Sequence, residues 1–275
     1  MSQQLINAGY DIRVFNRSKE KEEALKARGA TSLPSPAELL QQSDVVIIMV
    51  SDDQAIREIF TGHQGLLSAK VEGRILINMS TVSPGISKEM ASLCEDRSNY
   101  YIDAPVSGSV KQAEEGQLVI MVGGEEKVFQ KVRPILERLG KLALRVGATG
   151  AGNAAKLAMN TLLGFHAQGL AEAVVFARQN KISPEDFITL VNNSALGNVF
   201  TKIKGDAIIK KNYQAAFALK HIAKDLRLAK AEGLATPLGE VAFETFQQAE
   251  PALGEEDIIA IIKQIDHARR LHFFW

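Results

Sequence analysis

Cysteine occurs once in the 275 residues, at Cys94, so the chain can form neither an intrachain disulfide nor a cysteine-rich metal site. A reducing, cytoplasmic setting is the expectation that follows. Net charge is lacking too, because 32 Lys and Arg stand against 32 Asp and Glu. General binders of nucleic acid or of anionic membranes carry a basic excess that displaces counterions, so neither partner is expected. No apolar run reaches the roughly 20 residues that span a bilayer. Met1 to Asn7 is polar where a signal peptide would be apolar. The five His show no His-Glu-x-x-His or related spacing, which leaves no catalytic metal to expect.

What is present reads as a globular α/β chain of about two domains. Between Asp11 and Val146, short apolar runs alternate with amphipathic stretches: Ile12 to Phe15, Val45 to Val50, Ile75 to Ile77, Tyr100 to Ile102 and Leu118 to Val122. Runs apolar on both faces suit parallel strands covered by helices on each side. Ser18 is expected to cap a helix from Lys19 to Arg28 that stops at Gly29. Ser35-Pro36 and Ser83-Pro84 open two more, reaching Gln42 and about Asp96. Beyond Thr149 the strand signal fades. Ala151 to Asn180 reads as one helix, followed by helices opened by Ser183-Pro184 and over Ala215–Glu232, Pro237–Ala249 and Glu255–Arg270. The predicted organisation is a dinucleotide-binding domain over 1–147 and an all-helical substrate and oligomerisation domain over 148–275.

A doubly wound sheet opens with a strand, a Gly-rich turn and a helix. Here Met1 to Ala8 reads as the tail of a helix ended by Gly9, and no Gly-x-Gly-x-x-Gly occurs. The chain therefore reads as starting inside the first βα unit, with a Rossmann-type parallel sheet that lacks its first strand. Such a loss removes the helix N-terminus that holds a pyrophosphate and leaves neighbouring strands with unpaired backbone groups.

Several loops at predicted strand ends carry chemistry. Asn16-Arg17-Ser18 follows the first run. An acid there would take a ribose 2′-hydroxyl, whereas Arg17 suits a 2′-phosphate, which favours NADP with NAD as the alternative. Asp52 and Asp53 are read as caps of a helix starting near Gln54. Ser80-Thr81 either meets a nicotinamide ribose or forms an ordinary turn. In Asp103-Ala104-Pro105-Val106-Ser107-Gly108-Ser109, small residues let backbone N–H groups approach an anion and Ser107 adds a donor, as a carboxylate substrate requires. Lys156 and Asn160 are four apart and share a helix face among apolar neighbours. A lysine held out of water exchanges a proton near neutrality, and Asn160 can fix the ammonium or a substrate oxygen. Lys224-Asp225 lies on a later helix and could be a surface pair.

Together these motifs resemble the β-hydroxyacid dehydrogenase family, which includes 3-hydroxyisobutyrate dehydrogenase and tartronate semialdehyde reductase. The resemblance runs from Ala8-Gly9-Tyr10 to Leu253-Gly254-Glu255-Glu256-Asp257. Its markers are Asp103 to Gly108, the Lys-x-x-x-Asn spacing after Gly147, and Lys224-Asp225. Gly108-Ser109 with Lys111 and Ala113-Glu114-Glu115-Gly116, and Phe217 to His221, look most like the glyoxylate/succinic semialdehyde reductase branch. The resemblance implies Lys156 as proton donor, and Ser107, Gly108 and Ser109 at the substrate carboxylate with Asn160 beside it. It also places Val50, Ser51, Thr81 and Lys224 against the cofactor. The implied activity is NADPH-dependent reduction of a short aldehyde acid. The sequence departs from the family in lacking the Gly-rich turn and in having Ser109 where many members have Gly. The alternative is a catalytically silent dehydrogenase-like binding module. The long helix suggests a homodimer or homotetramer.

Overall fold

Each apolar run read from the sequence contains a strand. The computed structural model describes residues 1–272, with side chains described through residue 267. It comprises two compact units, Met1–Lys156 and Leu157–Trp275. In the first, the order is α1 (Ser2–Asn7), β1 (Arg13–Val14), α2 (Lys19–Lys26), β2 (Thr31–Ser32), α3 (Pro36–Gln41), β3 (Val45–Ile48) and α4 (Asp53–Thr61). Then come β4 (Ile75–Asn78), α5 (Pro84–Glu95), β5 (Tyr100–Asp103), β6 (Val106–Ser107), α6 (Val110–Glu114), β7 (Leu118–Gly123), α7 (Glu126–Leu139) and β8 (Gly140–Gly147).

Strands β3, β4 and β5 are parallel neighbours in register, Val45 opposite Ile75 and Ile75 opposite Tyr100. Alternate side chains leave opposite faces of the sheet. Ile75 and Ile77 pack with Phe129, Val132 and Leu136 of α7, while Leu76 packs with Phe60 of α4 and Met90 of α5. Covering both faces in this way removes each large side chain from water, worth about 1.5–3 kcal/mol apiece.

The expected all-parallel sheet is corrected in its second half. β7 runs antiparallel to β5 and β6, and β8 returns parallel to β7. The only helix between β5 and β7 is the five-residue α6. At 1.5 Å per residue it is about 7.5 Å long, too short to carry the chain back along the sheet for a parallel crossover. β2, β6 and β8 are strands that the sequence reading missed. Two are only two residues long, and β8 has a single β-branched residue, Val146, with Leu142 and Leu144 set between Lys141, Ala143 and Arg145.

β1 and β2 form a separate two-stranded parallel sheet. A cavity of about 840 Å³ is lined by Ile12 to Asn16 on the β1 side, by Val45 to Val50 on the β3 side, and by Met1 and Leu5. The six-stranded sheet thus ends at β3.

Local capping fixes several helix starts. The Oγ atoms of Ser35 and Ser83 accept from Glu38 N and Ile86 N at 3.2 and 3.0 Å. Asp52 Oδ1 accepts from Ala55 N at 2.9 Å, as a cap should. Asp53 does not cap α4; its carboxylate accepts from the main-chain N–H and hydroxyl of Ser83 at 2.9 and 2.6 Å and so braces the start of α5. Ser18 precedes α2 without a side-chain cap, which corrects that expectation too.

The second unit is helical. α8 (Ala151–Gln179) is the longest of the described helices, followed by α9 (Pro184–Asn192), α10 (Val199–Lys210), α11 (Leu219–Ala231), α12 (Pro237–Leu253) and α13 (Ile261–His272). Ala167 and Val174 of α8, Ile222 and Leu226 of α11, and Phe246 of α12 share its core. α10 was not read from the sequence, and α11 starts later than expected. Ala216 N donates to Asp257 Oδ2 at 3.0 Å, holding the approach to α11 extended. Lys204 Nζ lies 2.7 Å from the same carboxylate. Among the described residues no helix is long and apolar enough to cross a membrane.

Candidate active site

At the carboxyl ends of β3, β4 and β5 a buried polar network fixes the loops. Ser80 Oγ accepts from Val50 N at 2.9 Å, joining the turn after β3 to that after β4. Ser80 is therefore a brace, and Thr81 is the half-buried hydroxyl beside it. Ser51 is exposed, and its hydroxyl donates to Asp52 at 2.7 Å. Asn78 Nδ2 donates to the Tyr101 hydroxyl at 3.0 Å. Desolvation raises the pKa of that phenol, so it stays a neutral hydrogen-bonding group.

Asp103 ends β5 with no solvent exposure. Its carboxylate accepts from Gly150 N at 2.7 Å and Asn153 N at 2.8 Å, at the start of α8. Burial raises its pKa, opposed by these donors. The strand–glycine turn–helix formed by β8, Gly150-Ala151-Gly152 and α8 has the shape of a phosphate cradle, but Asp103 already occupies the anion position. Gly152 is required there: a Cβ would come within 2.5 Å of Met121 O and 2.8 Å of Asp103 O. Asn153, itself buried, accepts from Val82 N at 3.1 Å and donates to Ser87 Oγ at 3.1 Å. Sequence reasoning missed Asn153 and Ser87. The one local signal was an Asn in the first turn of a helix opened by Gly-x-Gly.

One turn beyond Asn153, Lys156 is buried, with 8% of its surface exposed. Asn160 follows on α8 and is also buried. In the helical unit Asn160 Nδ2 donates to Asp225 Oδ2 at 2.5 Å, and Lys224 Nζ lies 3.1 Å from the other Asp225 oxygen. Asp225 is buried, so Lys224-Asp225 is not a plain surface pair; one carboxylate orients both the amide and the ammonium.

Ser107 is half-buried on β6, paired with Val119. Gly108 follows at φ +144°, where a side chain would be strained. Ser109 precedes α6, and its N–H and hydroxyl both donate to Gln112 Oε1, the former at 2.8 Å. That leaves Ser107 and Gly108 as the donors of this loop best placed for an anion.

After β1, Asn16 Oδ1 accepts from Ser18 N at 2.8 Å, and Arg17 is exposed. The nearby carboxylate, Glu22, is buried and already accepts from Asn16 N, Ser32 Oγ and Lys19 Nζ. A turn with an exposed guanidinium beside a buried, already engaged carboxylate fits the adenosine end of a phosphorylated dinucleotide. The turns with Val50, Ser51 and Thr81 stand at strand carboxyl ends, where such ligands bind. A Gly-x-Gly-x-x-Gly pyrophosphate cradle has no counterpart among the described residues. Among them, too, no group of three or more His, Cys, Asp or Glu is placed to hold a metal ion.

Comparison with known proteins bears on this arrangement. Residues 1–150 match the model for the NAD binding domain of 6-phosphogluconate dehydrogenase, and residues 150–265 that for the NAD-binding domain of NADP-dependent 3-hydroxyisobutyrate dehydrogenase. The chain is 32% identical over 274 residues to glyoxylate/succinic semialdehyde reductase 1 of Arabidopsis thaliana, covering 98% of this chain and 95% of that protein. It is 32% identical over 269 residues to 2-(hydroxymethyl)glutarate dehydrogenase of Eubacterium barkeri, covering 96% and 89%. The solved structure of 3-hydroxyisobutyrate dehydrogenase from Mycobacterium tuberculosis with L-serine superposes with a TM-score of 0.87 at 28% identity, over 96% of this chain and 94% of that one.

Proposed function

The chain belongs to the β-hydroxyacid dehydrogenase family and is an NAD(P)-dependent oxidoreductase of that class, and we propose that it reduces a short aldehyde acid, such as glyoxylate or succinic semialdehyde, with NADPH as reductant and Lys156 as proton donor. The observation that carries this reading is the burial of Lys156 on α8, one helical turn before a buried Asn160. When bound, the reduced nicotinamide supplies the hydrogen and electron pair that reach the aldehyde carbon.

The remaining chemistry belongs to the chain. Lys156 Nζ gives a proton to the aldehyde oxygen as negative charge develops there, and its own positive charge stabilises that oxygen. Asn160, its amide turned by Asp225, fixes the same region. Ser107 and the N–H of Gly108 hold the substrate carboxylate through charge-assisted hydrogen bonds. Arg17, with Asn16 and Ser18, takes the 2′-phosphate of NADP; the occupied carboxylate of Glu22 supports this choice over NAD. Val50, Ser51, Thr81 and Lys224 contact the rest of the cofactor. Met159, Leu162 and Phe176 stand exposed along α8 and support self-association through the helical unit.

Lys156→Ala tests the reading. Glyoxylate reduction with NADPH should fall by about 10²–10⁴-fold, while the NADPH Kd from fluorescence titration stays unchanged. A variant with near-normal turnover would overturn the proton-donor role. The same titration on the unaltered chain addresses the alternative of a catalytically silent binding module, which would give no saturable NADPH signal.

A further inference from the structure

We infer that Glu22 is a positioning residue that holds the turn Asn16-Arg17-Ser18 in a conformation preformed for a phosphomonoester on the adenosine ribose. The inference rests on the reading of that turn as the 2′-phosphate site and adds to it a residue that touches no ligand.

Within the turn, one bond from Ser18 N to Asn16 Oδ1 at 2.8 Å closes the backbone. β1 is two residues long, and α2 begins without a side-chain cap from Ser18. What ties the turn to its neighbouring elements is one carboxylate reaching back from the first turn of α2. Glu22 Oε1 accepts from Asn16 N at 2.6 Å. Glu22 Oε2 accepts from Ser32 Oγ, on β2, at 2.5 Å. Lys19 Nζ lies 3.1 Å from both oxygens. A single side chain therefore ties the end of β1, the start of α2 and the end of β2. It is only 2% exposed, which is uncommon for a glutamate and persists only where the charge is paired and hydrogen-bonded. Desolvation alone would raise its pKa, but the bonds from Ser32, Asn16 and Lys19 together outweigh it and hold the carboxyl below its ordinary value.

This geometry has two consequences for recognition. With its oxygens already engaged, Glu22 is not presented to a ribose 2′-hydroxyl, the role an acid plays in NAD-selective folds. Its negative charge is also matched by Lys19, so the exposed guanidinium of Arg17 faces an incoming phosphate beside a neutralised pair. Preorganising a turn in its bound conformation raises affinity by removing the ordering cost from the binding step.

Calorimetric binding of adenosine 2′,5′-bisphosphate and of 5′-AMP to the full chain tests the inference without requiring turnover. The unaltered chain should bind the bisphosphate more tightly. In Glu22→Gln an amide N–H₂ must face either Asn16 N–H or the Ser32 hydroxyl, and bisphosphate affinity should fall about tenfold with 5′-AMP affinity unchanged. Ser32→Ala, which keeps the carboxylate, should give a smaller loss in the same direction, and decides the matter if Glu22→Gln does not fold. An unchanged bisphosphate-to-AMP ratio, or an equal weakening of both ligands, would show a merely structural Glu22 and overturn the inference. Arg17→Ala separates the two layers. If it abolishes the preference while Glu22→Gln does not, the 2′-phosphate reading stands and the positioning role falls. If the unaltered chain shows no preference, both fall.

Discussion

Asp103 and Asn153 lie 50 positions apart, yet a carboxylate oxygen of Asp103 accepts the main-chain N–H of Asn153 at 2.8 Å. A buried anion at the end of β5 thus satisfies N–H groups at the start of α8 that no intrahelical partner can reach. The helix that carries Lys156 starts from a fixed point on the sheet. Asp103→Asn keeps the shape but sets an amide N–H₂ against an N–H donor. The expected loss is about 1–3 kcal/mol of stability, read by urea denaturation, with reductase activity falling more than the stability change alone would cause. Unchanged values on both counts would remove Asp103 from the account of how Lys156 is placed.

Gly152→Ala offers a contest between two effects. Within a helix, Ala is favoured over Gly by roughly 1 kcal/mol. The added Cβ, however, would lie 2.5 Å from Met121 O and 2.8 Å from Asp103 O, which are backbone atoms that cannot swing away. Steric overlap should win, with a net destabilisation of about 1–3 kcal/mol. A lower melting temperature is the expected reading; a higher one would mean the β8–α8 turn gives way more easily than its contacts suggest.

The stability supplied by Glu22 should depend on pH with a definite sign. Its folded-state pKa lies below the ordinary value of 4.5. Such a group contributes stability that is complete above the unfolded-state pKa and is lost as pH falls through the folded-state value. The gap in unfolding free energy between the unaltered chain and Glu22→Gln should therefore be widest near neutrality and close on acidification below about pH 4. A gap that widened in acid would contradict the hydrogen-bonded carboxylate described for the turn.

Cys94 is fully buried on α5, and desolvation pushes its thiol up to about 12. A thiol so far from ionisation is inert in the folded chain. Ellman's reagent at about pH 8 should release next to no thionitrobenzoate from native protein and one equivalent after unfolding in urea. Rapid reaction of the native chain would mean that the packing of α5 against the sheet opens readily.

Local pattern carried the sequence reading where a segment's own residues decide its state. Ser35-Pro36 and Ser83-Pro84 start helices because a hydroxyl three residues before an N–H is a short-range arrangement. Val45 to Ile48 and Ile75 to Asn78 are strands buried between helices, and their apolar, β-branched composition announces it. The 29-residue α8 and the end of α1 before Gly9 were legible for the same reason.

Tertiary structure alone decided the rest, because each outcome depends on residues far apart in the chain. β8 pairs with β7 although its own residues, with one β-branched side chain among Leu, Ala, Lys and Arg, leave its state ambiguous; the neighbouring edge supplies its hydrogen bonds. Asp53 and Asp52 are adjacent and chemically alike, yet one caps α4 and the other braces α5, a division set by where Ser83 comes to rest. Neither the commitment of Asp225 to Asn160 nor that of Glu22 to Ser32 can be inferred from spacing. A charged side chain is stable out of water only when the whole fold delivers its partners, so the residue types were fixed by the sequence and their roles by the packing that brings them together.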